Sequence, residues 1–173
     1  MAKTKNLYRI PVKKKDLGLA ISGPNAHNGF LQYAIDFLVP MGTEIVAACD
    51  GKVIDVKMDS NEGGLDKKYL GNKYLNFITI EHEYKECSQY AHLKYRGACV
   101  KKGQTVKAGE VIGFSGNTGF TSAPHLHFHV CIDNDSEIGW ETLEVQFSAQ
   151  IKVIRNAPDL SEDDKRLMQE MPR

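Results

Sequence analysis

No Cys-x-x-Cys pair occurs in this 173-residue chain, and its four cysteines, Cys49, Cys87, Cys99 and Cys131, lie far apart. Zinc knuckles and thioredoxin-type redox sites need closely spaced thiols, so both are excluded. Each cysteine has apolar neighbours, which predicts buried, reduced thiols rather than disulfides. Charge of one sign is missing too, since 22 basic side chains balance 22 acidic ones. That balance removes the electrostatic reason to expect nucleic acid or an anionic membrane as partner. No stretch approaches the roughly 18 consecutive apolar residues of a membrane span. The first twenty residues are basic but hold no apolar run of the signal-peptide kind. What remains is ordinary globular usage, 42% hydrophobic and 25% charged. One soluble domain that can bury a core without staples is expected.

Helical periodicity is scarce. Short β-type runs separated by glycine turns fill the chain at 33–37, 44–48, 52–56, 75–82, 87–92, 110–114, 125–132 and 150–154. Asp50-Gly51 between two of them predicts a tight hairpin turn, because glycine accepts positive φ. The fold class expected is all-β: a compact antiparallel sheet domain. Near the end, Pro158, the candidate cap Ser161 and the acidic first turn Glu162, Asp163 and Asp164 predict a short helix over 161–170. The polar stretch 57–76, with Gly63-Gly64 and Gly71, is either a groove wall or a solvated insertion.

Histidine carries the chemistry. His125, His127 and His129 alternate, and chance predicts only about 0.007 such triples in a chain of this composition. Residues two apart on a strand share a face, so Leu126, Phe128 and Val130 face the core and the three imidazoles face the other way. Neutral imidazoles gathered on one face can bind a borderline metal or move protons near pH 7. Three solvated histidines are the alternative. Tyr90 and His92 repeat that spacing, about 7 Å apart along a second strand. Asp36 is a carboxylate inside an apolar strand, a costly place for a charge unless it is hydrogen-bonded or on a metal. His27 lies in a Gly/Pro/Asn loop and His82 ends a strand between glutamates; exposure and a structural role are their plain readings. Together these residues supply N and O ligands and proton-transfer groups for a hydrolytic zinc.

In order along residues 22–132 run Asp36-Phe37, Asp50-Gly51-Lys52-Val53, Tyr90-Ala91-His92-Leu93, Gly116-Asn117-Thr118-Gly119 and Pro124-His125-Leu126-His127-Phe128. This series resembles the core of the lysostaphin/LytM-type zinc peptidases, which cleave peptide cross-links of bacterial cell walls. The resemblance implies a barrel-sandwich sheet of the duplicated hybrid motif type, with a groove over one Zn²⁺ per chain. It implies Asp36 and His127 as metal ligands, His92 and His125 as catalytic histidines, and Tyr90 as a helper at the oxyanion. His129 has no counterpart role.

One position departs from the pattern. The family's first ligand is a histidine four residues before the aspartate, and here that residue is Gln32. Glutamine is a poor zinc ligand, so either the site is dead or another residue substitutes. His27, ahead of the strand in a His27-Asn28-Gly29 loop, is the substitute chosen here. The function implied is a zinc-dependent endopeptidase acting on peptidoglycan through metal-activated water. Its alternative is a degenerate LytM-like domain that binds peptidoglycan or regulates a partner hydrolase. A lipoyl or phosphocarrier domain, suggested by the glycine-paced stretch 100–113, ranks last. The domain reading is an N-terminal extension over 1–21, the peptidase domain over 22–155 and a helical tail over 156–173. The resemblance implies work outside the cytoplasm, whereas the N-terminal residues offer no export signal. Oligomeric state has no signature.

Overall fold

Runs of Val, Ile, Phe and Tyr too short for a helix can bury themselves only as paired strands. The computed structural model describes residues 2–23, 27–134 and 139–155. Within them lie β1 (Ala20–Ile21), β2 (Ile35–Phe37), β3 (Glu44–Val46), β4 (Gly51–Lys57), β5 (Gly63–Gly64), β6 (Phe77–Glu81) and β7 (Cys87–Ala91). There follow β8 (Thr105–Val106), β9 (Val111–Phe114), β10 (Gly119–Phe120), β11 (Leu126–Asp133), β12 (Trp140–Leu143) and β13 (Val153–Ile154). Helical structure among the described residues is confined to three-residue 3₁₀ turns, such as Gly29–Leu31. No helix among them is long and apolar enough to cross a membrane. All eight expected strands are present with shifted ends. The helix expected over 161–170 lies outside the described residues.

The main sheet runs β13-β1-β2-β11-β7-β6-β4-β8 and does not close on itself. Its pairings are antiparallel except β1 with β13. The long strand β11 is the pivot. One edge pairs with β7 from His127 to Cys131; the other pairs first with β2 and then, from Val130 on, with β12. One face of this sheet is the core. Leu126, Phe128 and Val130 of β11 are fully buried there with Phe37, Tyr90, Ile78 and Ile80. Each such side chain contributes about 1.5–3 kcal/mol through removal from water. The pair β3–β9 supplies Ile45 and Ile112 to the same core. The opposite face of β11 is left for polar side chains, as the alternation predicts.

The N-terminal segment, read from sequence as an extension, packs into this core. Tyr8 is completely buried. The Glu86 carboxylate, 1% exposed, accepts from the Lys5 and Asn6 backbone N–H groups, from Asn6 Nδ2 at 2.8 Å and from Tyr8 Oη at 3.0 Å. Two expectations need correction. Asp50-Gly51 is not a hairpin turn: β3 and β4 belong to different sheets, and Gly51 does not have positive φ. Glycine is required there by close approach, since a Cβ would lie 2.4 Å from the Glu81 carbonyl oxygen. The cysteines are all free, but Cys99 is exposed and the others are only partly buried. Cys99 lies between strands, where neighbouring apolar residues do not fix the direction of its side chain.

Candidate metal centre

Register brings the first two residues together. Asp36 on β2 stands directly opposite His127 on β11, and directly opposed side chains share a face a few ångströms apart. Asp36 Oδ1 is 3.0 Å from His127 Nδ1. His27 arrives from the loop before β2, two residues ahead of the 3₁₀ turn Gly29–Leu31. Its Nε2 lies 3.2 Å from both Asp36 Oδ1 and His127 Nδ1. Gln32, at the end of the same turn, is exposed. Thus the loop histidine, not the glutamine, comes to Asp36.

These three atoms form a triangle with edges of 3.0–3.2 Å. Ligand atoms of a tetrahedral site with bonds of about 2.0–2.1 Å stand about 3.3–3.4 Å apart, so the triangle fits a zinc ion after a shift of tenths of an ångström. Hydrogen bonds among the three are a poorer explanation. If both rings donate to Asp36, two N–H groups face each other across 3.2 Å; if only one does, the other ring nitrogen is left as a bare acceptor. A shared cation resolves that conflict.

Electrostatics favour the same occupant. Burial alone would raise the Asp36 carboxyl, but the surrounding imidazoles of His127, His27 and His125 hold it well below the usual carboxylate range. Burial pulls the His127 imidazole down against the opposing pull of Asp36. The result at neutral pH is an ionised carboxylate beside a neutral imidazole, a combination that attracts a cation.

His92 and His125 stand next to this triangle. Their ring centroids are 4.5 Å apart, His92 is 5.9 Å from His127, and His125 Nε2 is 3.6 Å from Asp36 Oδ1. His92 donates from Nδ1 to the Thr118 carbonyl at 2.7 Å, and His125 from Nδ1 to the Ala123 carbonyl at 2.8 Å. A carbonyl can only accept, so both rings carry their proton on Nδ1 and leave Nε2 as the basic nitrogen. Burial, reinforced by repulsion from His125 and His127, lowers His92 to about 3. Asn76 holds the frame of His92: its side chain bonds Ser60 and the Leu93 carbonyl, and its N–H donates to Thr118 Oγ1 at 3.2 Å. The excursion 57–76 is therefore tied to the site. Its β5 pairs with β10 immediately beyond Thr118, and a Cβ on Gly63 would meet the Asn117 carbonyl oxygen at 2.1 Å.

Tyr90 is not brought to the site. It is fully buried against Phe128 on the core face, where its Oη accepts from the Ala48 N–H at 2.8 Å and lies 3.1 Å from Ser88 Oγ. The expected shared face with His92 fails because β7 ends at Ala91, and His92 takes φ +60°, which breaks the alternation. His82 is a core residue bonded to the Asp50 carbonyl and Ser88 Oγ. His129, which the sequence left without a role, is 3% exposed, and its Nδ1 is 3.2 Å from His127 Nε2. Sequence reasoning also missed Trp140, stacked on His129, and Thr142, whose Oγ1 accepts from the Tyr33 N–H at 3.3 Å and donates to the Phe30 carbonyl at 2.8 Å. Alternation around Trp140 and Thr142 was the signal available, but four residues are too few to declare a strand.

Comparison with known proteins places the chain in a family. The model of Peptidase family M23 matches residues 31–138, a span that begins just after His27. Lysostaphin of Staphylococcus simulans is 39% identical over 114 residues, covering 65% of this chain and 20% of its own length. Peptidoglycan DD-endopeptidase ShyB of Vibrio cholerae is 37% identical over 108 residues, covering 62% and 21%. The chain thus spans about a fifth of the length of these relatives. The crystallised catalytic domain of S. simulans lysostaphin superposes with a TM-score of 0.51 at 30% identity, over 73% of this chain and 84% of that one. A zinc-containing peptidase from Vibrio cholerae gives 0.51 at 31% identity, over 72% and 36%.

Proposed function

Because the chain belongs to peptidase family M23, we propose that it is a zinc-dependent endopeptidase hydrolysing peptide bonds of bacterial cell-wall peptidoglycan. The observation that carries this reading is the convergence of His27 Nε2, Asp36 Oδ1 and His127 Nδ1 beside two histidines whose Nδ1 is committed to a backbone carbonyl. His27, Asp36 and His127 are the residues that would hold the ion. Zinc, when bound there, supplies Lewis acidity, which polarises a carbonyl and lowers the pKa of water from about 15.7 to about 7.

The chain's own residues supply the rest. Nε2 of His125 or His92 accepts the proton of the attacking water, its Nδ1–H already committed to a backbone carbonyl. The protonated ring then faces the developing oxyanion and returns the proton to the leaving amine nitrogen, so the pair acts first as base and then as acid. Neither step needs a rotation of the ring. The wall built from 57–76 and β10 flanks His92 and carries the exposed side chains Leu65, Leu70 and Phe120. The substrate assigns the place of action to the cell wall, outside the cytoplasm.

The non-catalytic alternative rested on Gln32, and the buried His27 supports the enzyme instead. Hydrolysis of purified peptidoglycan, followed by the release of new amino groups, tests the proposal. Wild-type protein loaded with zinc is expected to release them. His127→Ala is expected to lose zinc and activity together, whereas His125→Ala keeps zinc and loses about 10²-fold or more in kcat. Full activity in His127→Ala contradicts the scheme.

A further inference from the structure

His129 takes no part in the hydrolysis proposed above, yet it is one of the most constrained side chains near the triangle. Its ring lies on the same face of β11 as His127, with Nδ1 3.2 Å from His127 Nε2. Against its other side stands the Trp140 indole, parallel within 4° at 5.4 Å between centroids. Trp140 in turn meets the Phe30 ring edge-on at 5.0 Å, and Phe30 belongs to the turn that follows His27. Two residues along β12, Thr142 bonds that turn at Phe30 and the chain just after it at Tyr33. One strand therefore touches the supports of both histidines of the triangle.

We propose that His129, clamped by Trp140, is a positioning residue that fixes His127 in the tautomer and ring orientation of a metal ligand. This rests on the metal-site reading given above. A neutral imidazole has one N–H and one lone pair. To offer its lone pair at Nδ1, inside the triangle, His127 must carry its proton on Nε2. The competing tautomer, with the proton on Nδ1, donates to Asp36 Oδ1 at 3.0 Å and blocks the ligand position. Buried Nε2–H needs an acceptor, and His129 Nδ1 is the acceptor in reach. By accepting there, His129 favours the binding tautomer over the blocking one, and the indole stack holds its ring in the plane that does so. Outer partners of this kind are worth roughly 10–100-fold in metal affinity.

The test compares wild type, His129→Phe and His129→Gln by zinc competition against a chromophoric chelator and by the visible absorption of the Co²⁺-loaded proteins. Phenylalanine keeps the stack on Trp140 but removes the acceptor; glutamine restores an acceptor oxygen. The Phe variant is expected to bind zinc about 10–100-fold more weakly with a changed Co²⁺ spectrum, and the Gln variant to come within about threefold of wild type. Wild-type affinity in His129→Phe, or an equal loss in both variants, overturns the assignment while leaving the metal site standing. A wild-type protein that takes up no zinc overturns the metal site and this inference together. Should His129→Phe fail to fold, the ¹⁵N-histidine spectrum of the zinc-loaded wild type decides. A His127 proton on Nε2 in a hydrogen bond supports the assignment, and its absence overturns it.

Discussion

Gln32 and His27 are five residues apart, and the choice between them depends on a turn. Position four before Asp36 is where the family resemblance implies a ligand, but the Gly29–Leu31 turn leaves Gln32 in solvent and turns His27 inward. Gln32→Ala is therefore expected to leave zinc affinity and turnover within about twofold, as exposed positions do. His27→Ala is expected to lose more than about 10²-fold in zinc affinity, because a two-residue site is left. Metal content after dialysis, measured beside hydrolysis, checks both. The histidine alternation was legible in the sequence because strand period sets side-chain direction without tertiary context. Tyr90 was misplaced for the same reason: the rule was carried one residue past the strand's end, to a His92 whose backbone turns left-handed. Nothing in the residue types at 90–92 announces that turn.

At the scale of elements, β12 organises what the sequence left unexplained. Thr142 Oγ1 is the hydrogen-bond partner of both the Tyr33 N–H and the Phe30 carbonyl, so it ties the His27 turn to the sheet. Thr142→Val keeps the shape and removes both bonds. It is expected to cost about 1–3 kcal/mol, since two backbone groups lose their partner. Zinc binding weakens several-fold as the turn loosens, and Thr142→Ser restores both properties. Urea unfolding and zinc titration read the two effects separately. Strands such as 75–82 and 125–132 were visible in sequence because their β-branched and aromatic residues run for several positions. Gly63–Gly64, Thr105–Val106 and Gly119–Phe120 are two-residue pairings whose existence depends on partners far along the chain. The N-terminal segment was equally hidden: its anchor, Glu86, reads as an ordinary surface glutamate until Tyr8 and Asn6 are seen around it.

For the whole molecule, the buried histidines make stability depend on pH. His82, His92, His127 and His129 are all lowered, each first of all by burial, His92 to about 3. Below the ordinary histidine pKa of about 6.5, the unfolded chain binds protons that the native state refuses, so folding stability falls as pH falls. Each such histidine adds a slope of up to about 1.4 kcal/mol per pH unit, between about 6.5 and its own lowered value. Metal-free protein is expected to unfold at clearly lower urea at pH 5.5 than at pH 7.5; equal midpoints contradict the neutral, buried state of these rings. Zinc acts in the opposite direction. A ligand bound by the native state alone adds about 2.7 kcal/mol when present at a hundred times its Kd.

Anomalous diffraction at the zinc edge from zinc-loaded crystals tests the central claim most directly. The account predicts one strong peak per chain, bonded to His27 Nε2, Asp36 Oδ1 and His127 Nδ1, with Gln32 remote from it. A peak ligated by Gln32 in place of His27, or no peak within bonding distance of Asp36 and His127, would contradict it.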